Sequence, residues 1–259
     1  MEMFLFHLST PVLIVLLMVV LGASMAAGVF VGNRWPKRAE PHREPVGVAQ
    51  GALLGLIGLL LAFGLSMAVG RYDARRTLVV EEANAIGTTY LRAQLLDEPQ
   101  RSASLDLLRD YTDEAIEFGG DVPTTAAFRE ASDRMEEYHN QLWALAAEAM
   151  AADPEGSAPR LYVETLNEMI DAHSSRVSSL NNRVPTSVML LLLIGSAIAI
   201  AVLSLYLTML GKGVTTSAVT TLVLFVTLFI SFDLDRPERG MITVPVTPLE
   251  DARQSMNEG

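Results

Sequence analysis

The sequence contains no cysteine and only four histidines among its 259 residues. Without cysteine the chain can form neither disulfide bonds nor cysteine-ligated zinc or iron–sulfur centres. It also contains no HExxH zinc motif, no Gly-rich phosphate loop and no nucleophile elbow. We therefore expect no enzymatic activity, no catalytic residues, no resident metal and no cofactor.

Charged residues are absent from four long apolar stretches, which span residues 10–33, 46–70, 186–210 and 214–232. A transmembrane helix needs about 20 predominantly apolar residues, and each stretch is long enough. The sequence therefore predicts an all-α integral membrane protein that crosses the bilayer four times. We expect it to be a multi-pass protein of the inner (plasma) membrane, with the lipid bilayer as its first partner.

The polar block between the second and third stretches, residues 71–185, is predicted to be a water-exposed helical bundle. No turn signal follows the second apolar stretch, so its helix is expected to continue to about Asp97. Further helices are predicted at 100–118, from Thr124 or Thr125 to Ala152, and at 159–183, and the polar tail 234–259 is expected to hold a short helix at 248–256. The chain carries a formal net charge of −11, which argues against nucleic acid as a partner.

Apolar spacing predicts which side of each bundle helix is buried. After the second apolar stretch the predicted stripe is Val79, Ala83, Ile86, Tyr90 and Ala93. In the last bundle helix it is Leu161, Leu166, Ile170, His173, Val177 and Leu180.

The membrane topology is only partly determined by the sequence. Ser24-Met25-Ala26 is an acceptable signal-peptidase pattern, but the segment before the first stretch has no Lys or Arg, so we favour a retained helix. Four crossings would place both termini and the polar block on one side. The Lys and Arg residues near the membrane ends give opposing signals about which side that is.

Small residues recur along the second apolar stretch, where Gly47, Gly51 and Gly55 follow one another at intervals of four. Such a ridge allows close helix packing, or leaves room beside a narrow pathway. Gln50 and Ser66 are polar residues in the same stretch, and each should face another helix or water.

Several segments resemble the bacterial bestrophin-like domain family. They are residues 51–68, the run Arg71-Tyr72-Asp73-Ala74-Arg75-Arg76, residues 80–92, and the exit sequence Leu234-Asp235-Arg236-Pro237-Glu238-Arg239-Gly240. The resemblance implies a homo-oligomeric, anion-conducting channel in which the second transmembrane helix lines the pore, with inorganic ions as further partners. The acidic calcium clasp of animal bestrophins is missing, so calcium gating is not implied. The pore-lining candidates are Gln50, Gly51, Gly55, Leu56, Leu60, Phe63, Ser66 and Met67.

Polar residues beyond the membrane ends supply three further sets of candidates. A ring of side chains around an oligomer axis could come from Arg75, Arg76, Glu81, Glu82 or Asn84. A ring of glutamates would favour cations and a ring of arginines would favour anions. The preferred alternative is that these residues form hydrogen bonds within or between bundles. Asp233, Asp235, Arg236 and Arg239 are expected to pair with one another or with the arginines near Arg71. Glu136-x-x-His139 has the spacing of half a di-iron site, but no second copy exists, so a solvated helix face is predicted.

Two other functions remain open from the sequence. A membrane-anchored sensor or scaffold would bind a ligand or partner protein through the helical block, although no output domain follows it. A secondary transporter would show broken membrane helices or an ionisable residue within them, and neither is visible.

Overall fold

The computed structural model describes residues 9–34, 43–118, 125–211, 214–236 and 240–258. Within them all regular secondary structure is helical. The helices are α1 (Thr10–Arg34), α2 (Arg43–Ala93), α3 (Gln100–Phe118), α4 (Thr125–Ala152), α5 (Ser157–Asn181), α6 (Thr186–Met209), α7 (Val214–Leu234) and α8 (Thr247–Glu258). Four of them, α1, α2, α6 and α7, are long and apolar enough to cross a membrane, which confirms the prediction of four candidate spans.

The chain forms two compact units. The first takes its described residues from Met1–Arg71, Arg183–Arg236 and Gly240–Ile242, and the second from Tyr72–Asn182 and Thr243–Gly259. Helix α2 contributes its first part to one unit and its second part to the other.

In the first unit, α1 lies along α6, and α7 packs on both. Two glycines of α1 make this approach possible, because a Cβ at Gly28 would collide with the carbonyl oxygen of Ala201. A Cβ at Gly32 would likewise lie 2.7 Å from the Cβ of Thr208. Leucines of α1 and apolar residues of α6 and α7 form the core, among them Leu13, Leu17, Leu21, Leu192, Ile200, Leu228 and Phe232.

Helix α7 is rich in threonine and valine, which favour strands in water, yet it is helical throughout. The hydroxyls of Thr220, Thr221 and Thr227 each donate to the carbonyl four residues earlier, at 3.2, 2.8 and 2.9 Å. These bonds satisfy polar groups without a neighbouring chain, which suits a helix surrounded by lipid.

The second unit is a helical bundle whose core is built from the later part of α2 together with α3, α4, α5 and α8. The predicted stripe of α2 is confirmed, since Val79, Ala83, Ile86, Tyr90 and Ala93 are all buried. Helix α2 ends at Ala93, earlier than the predicted Asp97. The amides of Leu95 and Leu96 bond to carbonyls three residues back instead of four, which tightens and closes the last turn.

Local capping explains where α3 begins. The Glu98 carboxylate accepts from the Ser102 amide at 3.3 Å and from the Ser102 hydroxyl at 2.8 Å. Such a carboxylate satisfies an amide that has no partner inside the helix and complements the helix dipole.

The C-terminal helix α8 is part of the bundle core and packs on α3. Leu249 and Met256 are its buried apolar contacts. The Tyr90 hydroxyl of α2 donates to the Met256 carbonyl at 3.0 Å, and Arg253 makes a two-point ion pair with Asp113 of α3 at 2.7 and 3.0 Å.

Candidate functional site

The first part of α2 has a packed side and an open side. Gly64 lies on the packed side, where an added Cβ would be 2.5 Å from a methyl carbon of Leu192, and at the edge of that side an added Cβ at Gly47 would meet the Tyr206 ring at 3.0 Å. On the open side, an added Cβ at Gly51, Gly55 or Gly58 would meet no described atom within 4 Å. Within the described residues, the glycine ridge is therefore only partly used for packing.

The predicted pore-lining residues divide between these sides. Gly51, Gly55 and Ser66 are exposed, as are Leu56, Phe63 and Met67 with 54%, 60% and 39% of their surface accessible. Gln50 and Leu60 are half-buried, and Leu60 packs against the core of the first unit.

The five candidates for a charged ring also divide. Arg76, Glu81 and Asn84 are exposed, whereas Arg75 and Glu82 are buried inside the second unit. Arg75 donates from Nε to the Ser179 carbonyl at 3.3 Å and from Nη2 to the Asn182 carbonyl at 3.0 Å. These carbonyls are at the C-terminal end of α5, where a cation is stabilised by the helix dipole and satisfies otherwise unpaired acceptors.

Glu82 is the centre of a buried polar cluster. Its side chain is 0% exposed, and one carboxylate oxygen lies 2.7 Å from Nδ1 of His173. Its other oxygen accepts from the Arg176 guanidinium, which also donates to the Ala115 carbonyl at 3.3 Å. The cluster thus ties α2 to α5 and to the backbone of α3.

Two further aromatic side chains complete this cluster. The Tyr111 hydroxyl lies 3.5 Å from Glu82 and 3.2 Å from Nε2 of His139. The ring centroids of His139 and His173 lie 5.2 Å apart, and the angle between the ring planes is 72°. Burial, together with the charge of Glu82, raises the pKa of the Tyr111 phenol well above its usual 10.0. Tyr111 is therefore a neutral hydrogen-bonding group between Glu82 and His139.

The placement of His139 corrects the sequence prediction. Glu136 is exposed as expected, but His139 faces inward and meets His173 of another helix. The solvated face predicted for this motif is thus wrong for the histidine, because α4 turns that side toward α3 and α5. Among the described residues, no group of three or more His, Asp or Glu side chains is arranged to hold a metal ion.

Polar contacts between α2 and α5 recur along their length. Arg75, Glu82 and Thr89 are seven residues apart, and all three are buried. Thr89 donates to the Thr165 carbonyl at 3.0 Å, and further along Arg92 donates to the Leu161 carbonyl at 2.8 Å. We call the contacts of Arg75, Glu82, Thr89 and Arg92 with α5 the polar seam. It holds two antiparallel helices in one register, since each contact has its own partner on α5.

The seam also explains an error in the predicted stripe of α5. The sequence pattern selects Ile170 and Val177, which are only half-buried, whereas Met169 and Arg176 are buried in the structure. The helix is rotated from the predicted orientation because Arg176 and His173 both face Glu82. A signal was available: Glu82 occupies a buried position in an otherwise apolar stripe, which requires a cationic partner.

The acidic residues at the exit of α7 bind backbone amides of the first unit. Asp233 accepts from Met241 and Ile242 at 3.0 and 2.9 Å. Asp235 accepts from the Val184 amide with both oxygens, at 3.0 and 2.9 Å, just before α6 begins. Arg236 is buried beside them, and Arg239 lies outside the described residues.

The comparison with known families decides the identity of this fold. A family model described as the Bestrophin-like domain matches residues 29–249. The chain belongs to the Bestrophin-like family. No curated protein matches it.

Solved structures agree with the family assignment. The crystal structure of a bacterial bestrophin homologue from Klebsiella pneumoniae has a TM-score of 0.68 at 13% identity, covering 93% of this chain and 97% of that chain. A point variant of that homologue has a TM-score of 0.62 at 14% identity, covering 92% and 98%. At such low identity the likeness establishes a bestrophin-like fold.

Proposed function

We propose that this Bestrophin-like protein is the subunit of a homo-oligomeric ion channel in the plasma membrane, with α2 lining the conduction path. The observation that carries the proposal is the open side of α2, where an added Cβ at Gly51, Gly55 or Gly58 would meet no described atom within 4 Å. A helix in contact with lipid alone gains nothing from a row of glycines, whereas a subunit contact or a narrow path needs small residues. Family membership and the four candidate spans support the same function.

Exposure supports three of the five charged or polar candidates as the side chains that select ions. Arg75 and Glu82 are committed to the polar seam, so the exposed Arg76, Glu81 and Asn84 remain. Arg76 and Glu81 are five residues apart and point about 140° away from each other around a helix. One orientation of α2 therefore presents a ring of arginines and another presents a ring of glutamates. Following the bestrophin resemblance, we propose that the Arg76 side faces the axis and favours anions.

The test is conduction by purified protein in planar lipid bilayers under asymmetric KCl. We expect a reversal potential near that of chloride, a shift toward that of potassium in Arg76→Gln, and little change in Glu81→Gln. If only Glu81→Gln shifts the reversal potential, the opposite side of α2 faces the axis and the selectivity proposal is wrong.

A second pair of variants tests α2 as the lining helix. Gly55→Trp should block or strongly reduce the current, because a bulky side chain would fill the open side. Gly22→Trp on α1 is the matched control, since Gly22 also has no described neighbour within 4 Å. Equal currents in wild type and Gly55→Trp would exclude α2 as the lining.

Oligomeric state distinguishes the channel from a sensor or scaffold. A ring of about four to six subunits in native mass spectrometry, built from head-to-tail interfaces that close on themselves, would provide a central axis, whereas a monomer or dimer would favour the sensor. One depression on the second unit gives the sensor little support. It is lined by a single helix face, Asp171, Ser174, Ser175, Ser178, Ser179 and Asn182, whereas ligand sites are concave and bring polar groups together from several directions.

A further inference from the structure

The groups around His139 disfavour the protonated form of its imidazole ring. Its ring contacts His173 of α5 and Tyr111 of α3, and Glu82 of α2 lies behind them, bound to His173 and Arg176. Glu82 is the one carboxylate among these groups, and it already binds both Arg176 and His173. A proton on His139 would therefore place a further positive charge beside His173 without adding a negative one.

The protein matrix around His139 makes that charge costly. The ring lies 5.3 Å from the Tyr111 ring and 5.2 Å from the His173 ring, measured between centroids. Charge–charge repulsion at such distances is only partly screened by water, because His173 is buried and His139 is half-buried. If α4 moved away from α3 and α5, His139 would become fully hydrated and accept a proton readily.

We propose that His139 is a proton-binding site through which acidification loosens the packing of α4 in the helical bundle. Protons bind preferentially to the form in which α4 has separated and His139 is hydrated. Acid therefore shifts the population toward that form by mass action, without a separate ligand.

The direction of the effect follows from the pKa. Burial, and secondarily the charge of His173, lowers the pKa of His139 from 6.5 to about 4 in the packed bundle. Well above pH 6.5 the histidine is neutral in both forms, and proton binding gives no preference. As the pH falls through 6.5, only the separated form gains the proton, so packing stability is lost progressively until about pH 4. Between pH 7.5 and 5.5 the opening equilibrium should increase up to about tenfold.

Hydrogen–deuterium exchange of the full-length protein in lipid nanodiscs measures this opening directly. After correction for the intrinsic pH dependence of exchange, we expect the α4 amides to lose up to about tenfold in protection between pH 7.5 and 5.5. His139→Gln should abolish that change, and Asn140→Ala, at the next, exposed position of α4, should retain it. The same acid-dependent loss in His139→Gln, or no loss in the wild type, would overturn the proposal.

Imidazole titration in the unmodified cluster provides a second test that needs no His139 variant to fold. Carbon-13-labelled histidine can be followed by NMR in a protein whose His7 and His42 are replaced by Gln, which leaves the two cluster histidines. We expect one resonance to titrate well below the usual 6.5. Two histidines that both titrate at or above 6.5 would contradict the proposal. Neither test requires ion conduction, so this site and the proposed channel can fail independently.

Discussion

Replacing Glu82 with glutamine should strongly lower the free energy of unfolding of the helical bundle, although the two side chains have the same size. The substitution preserves the side-chain volume, so it creates no cavity and changes mainly the charge. It leaves the Arg176 guanidinium, 5% exposed, with the Ala115 carbonyl and a neutral amide as partners. Removing one member of a buried ion pair typically costs about 3–5 kcal/mol. For a bundle of this size that corresponds to a decrease in Tm of roughly 10–20 °C.

The adjacent residue provides the matched control. Glu81→Gln makes the same chemical change on the same helix, but Glu81 is exposed, so its cost should stay within about 0.5 kcal/mol. Thermal unfolding in detergent, followed by circular dichroism and by exchange protection of the α5 amides, measures both variants.

A double variant identifies the cause of the loss. Adding Arg176→Met to Glu82→Gln removes the buried cation that has lost its partner, and should restore a large part of the stability. The electrostatic reasoning is refuted if Glu82→Gln is no worse than Glu81→Gln. It is also refuted if the double variant is as unstable as the sum of the two single variants.

Two further predictions concern the first unit. Gly28→Leu should separate α1 from α6 and lower the free energy of unfolding by about 1–3 kcal/mol or more. Gly22→Leu is the control and should be tolerated, because an added Cβ at Gly22 would meet no described atom within 4 Å. Thermal denaturation in detergent compares the two variants, and equal stability would contradict the close contact. Asp235→Ala leaves the buried Val184 amide without its acceptor and should cost about 1–3 kcal/mol, with faster exchange of that amide as the specific readout; unchanged exchange would show that the carboxylate is not its main partner.

The membrane helices and the apolar stripe of α2 could be predicted because their signal is local. Long uncharged stretches fix a span, and residues such as Val79, Ile86 and Tyr90 follow the helical period. For Arg75 and Glu82 the sequence favoured hydrogen bonding within or between bundles over a ring of charges, but it did not identify their partners. Those partners lie on α5 or directly after it, far along the chain, and only such partners make the burial of these charges possible.

The contact between the His139 and His173 rings was even less predictable from local sequence patterns. His139 and His173 belong to different helices, and Tyr111 to a third, so their contact depends on the rotation of each helix about its own axis. The predicted and observed buried faces of α5 share Leu166 and His173, but the prediction of Ile170 in place of Met169 is wrong by one residue, which is about 100° around the helix at that position. Spacing within one helix can therefore suggest a motif such as Glu136-x-x-His139 without revealing what its histidine meets.

The position of α8 in the bundle has a consequence for how the protein is made. Leu249 and Met256 fill a core whose other residues precede α6 and α7 in the chain. The bundle core therefore cannot be completed during synthesis until both of those helices have been translated. In the proposed channel α6 and α7 both span the bilayer, and only two crossings bring α8 back to the side on which α3 lies. If either helix failed to insert, α8 would end on the opposite side and the bundle core would stay incomplete, so completion of the bundle would report correct topology.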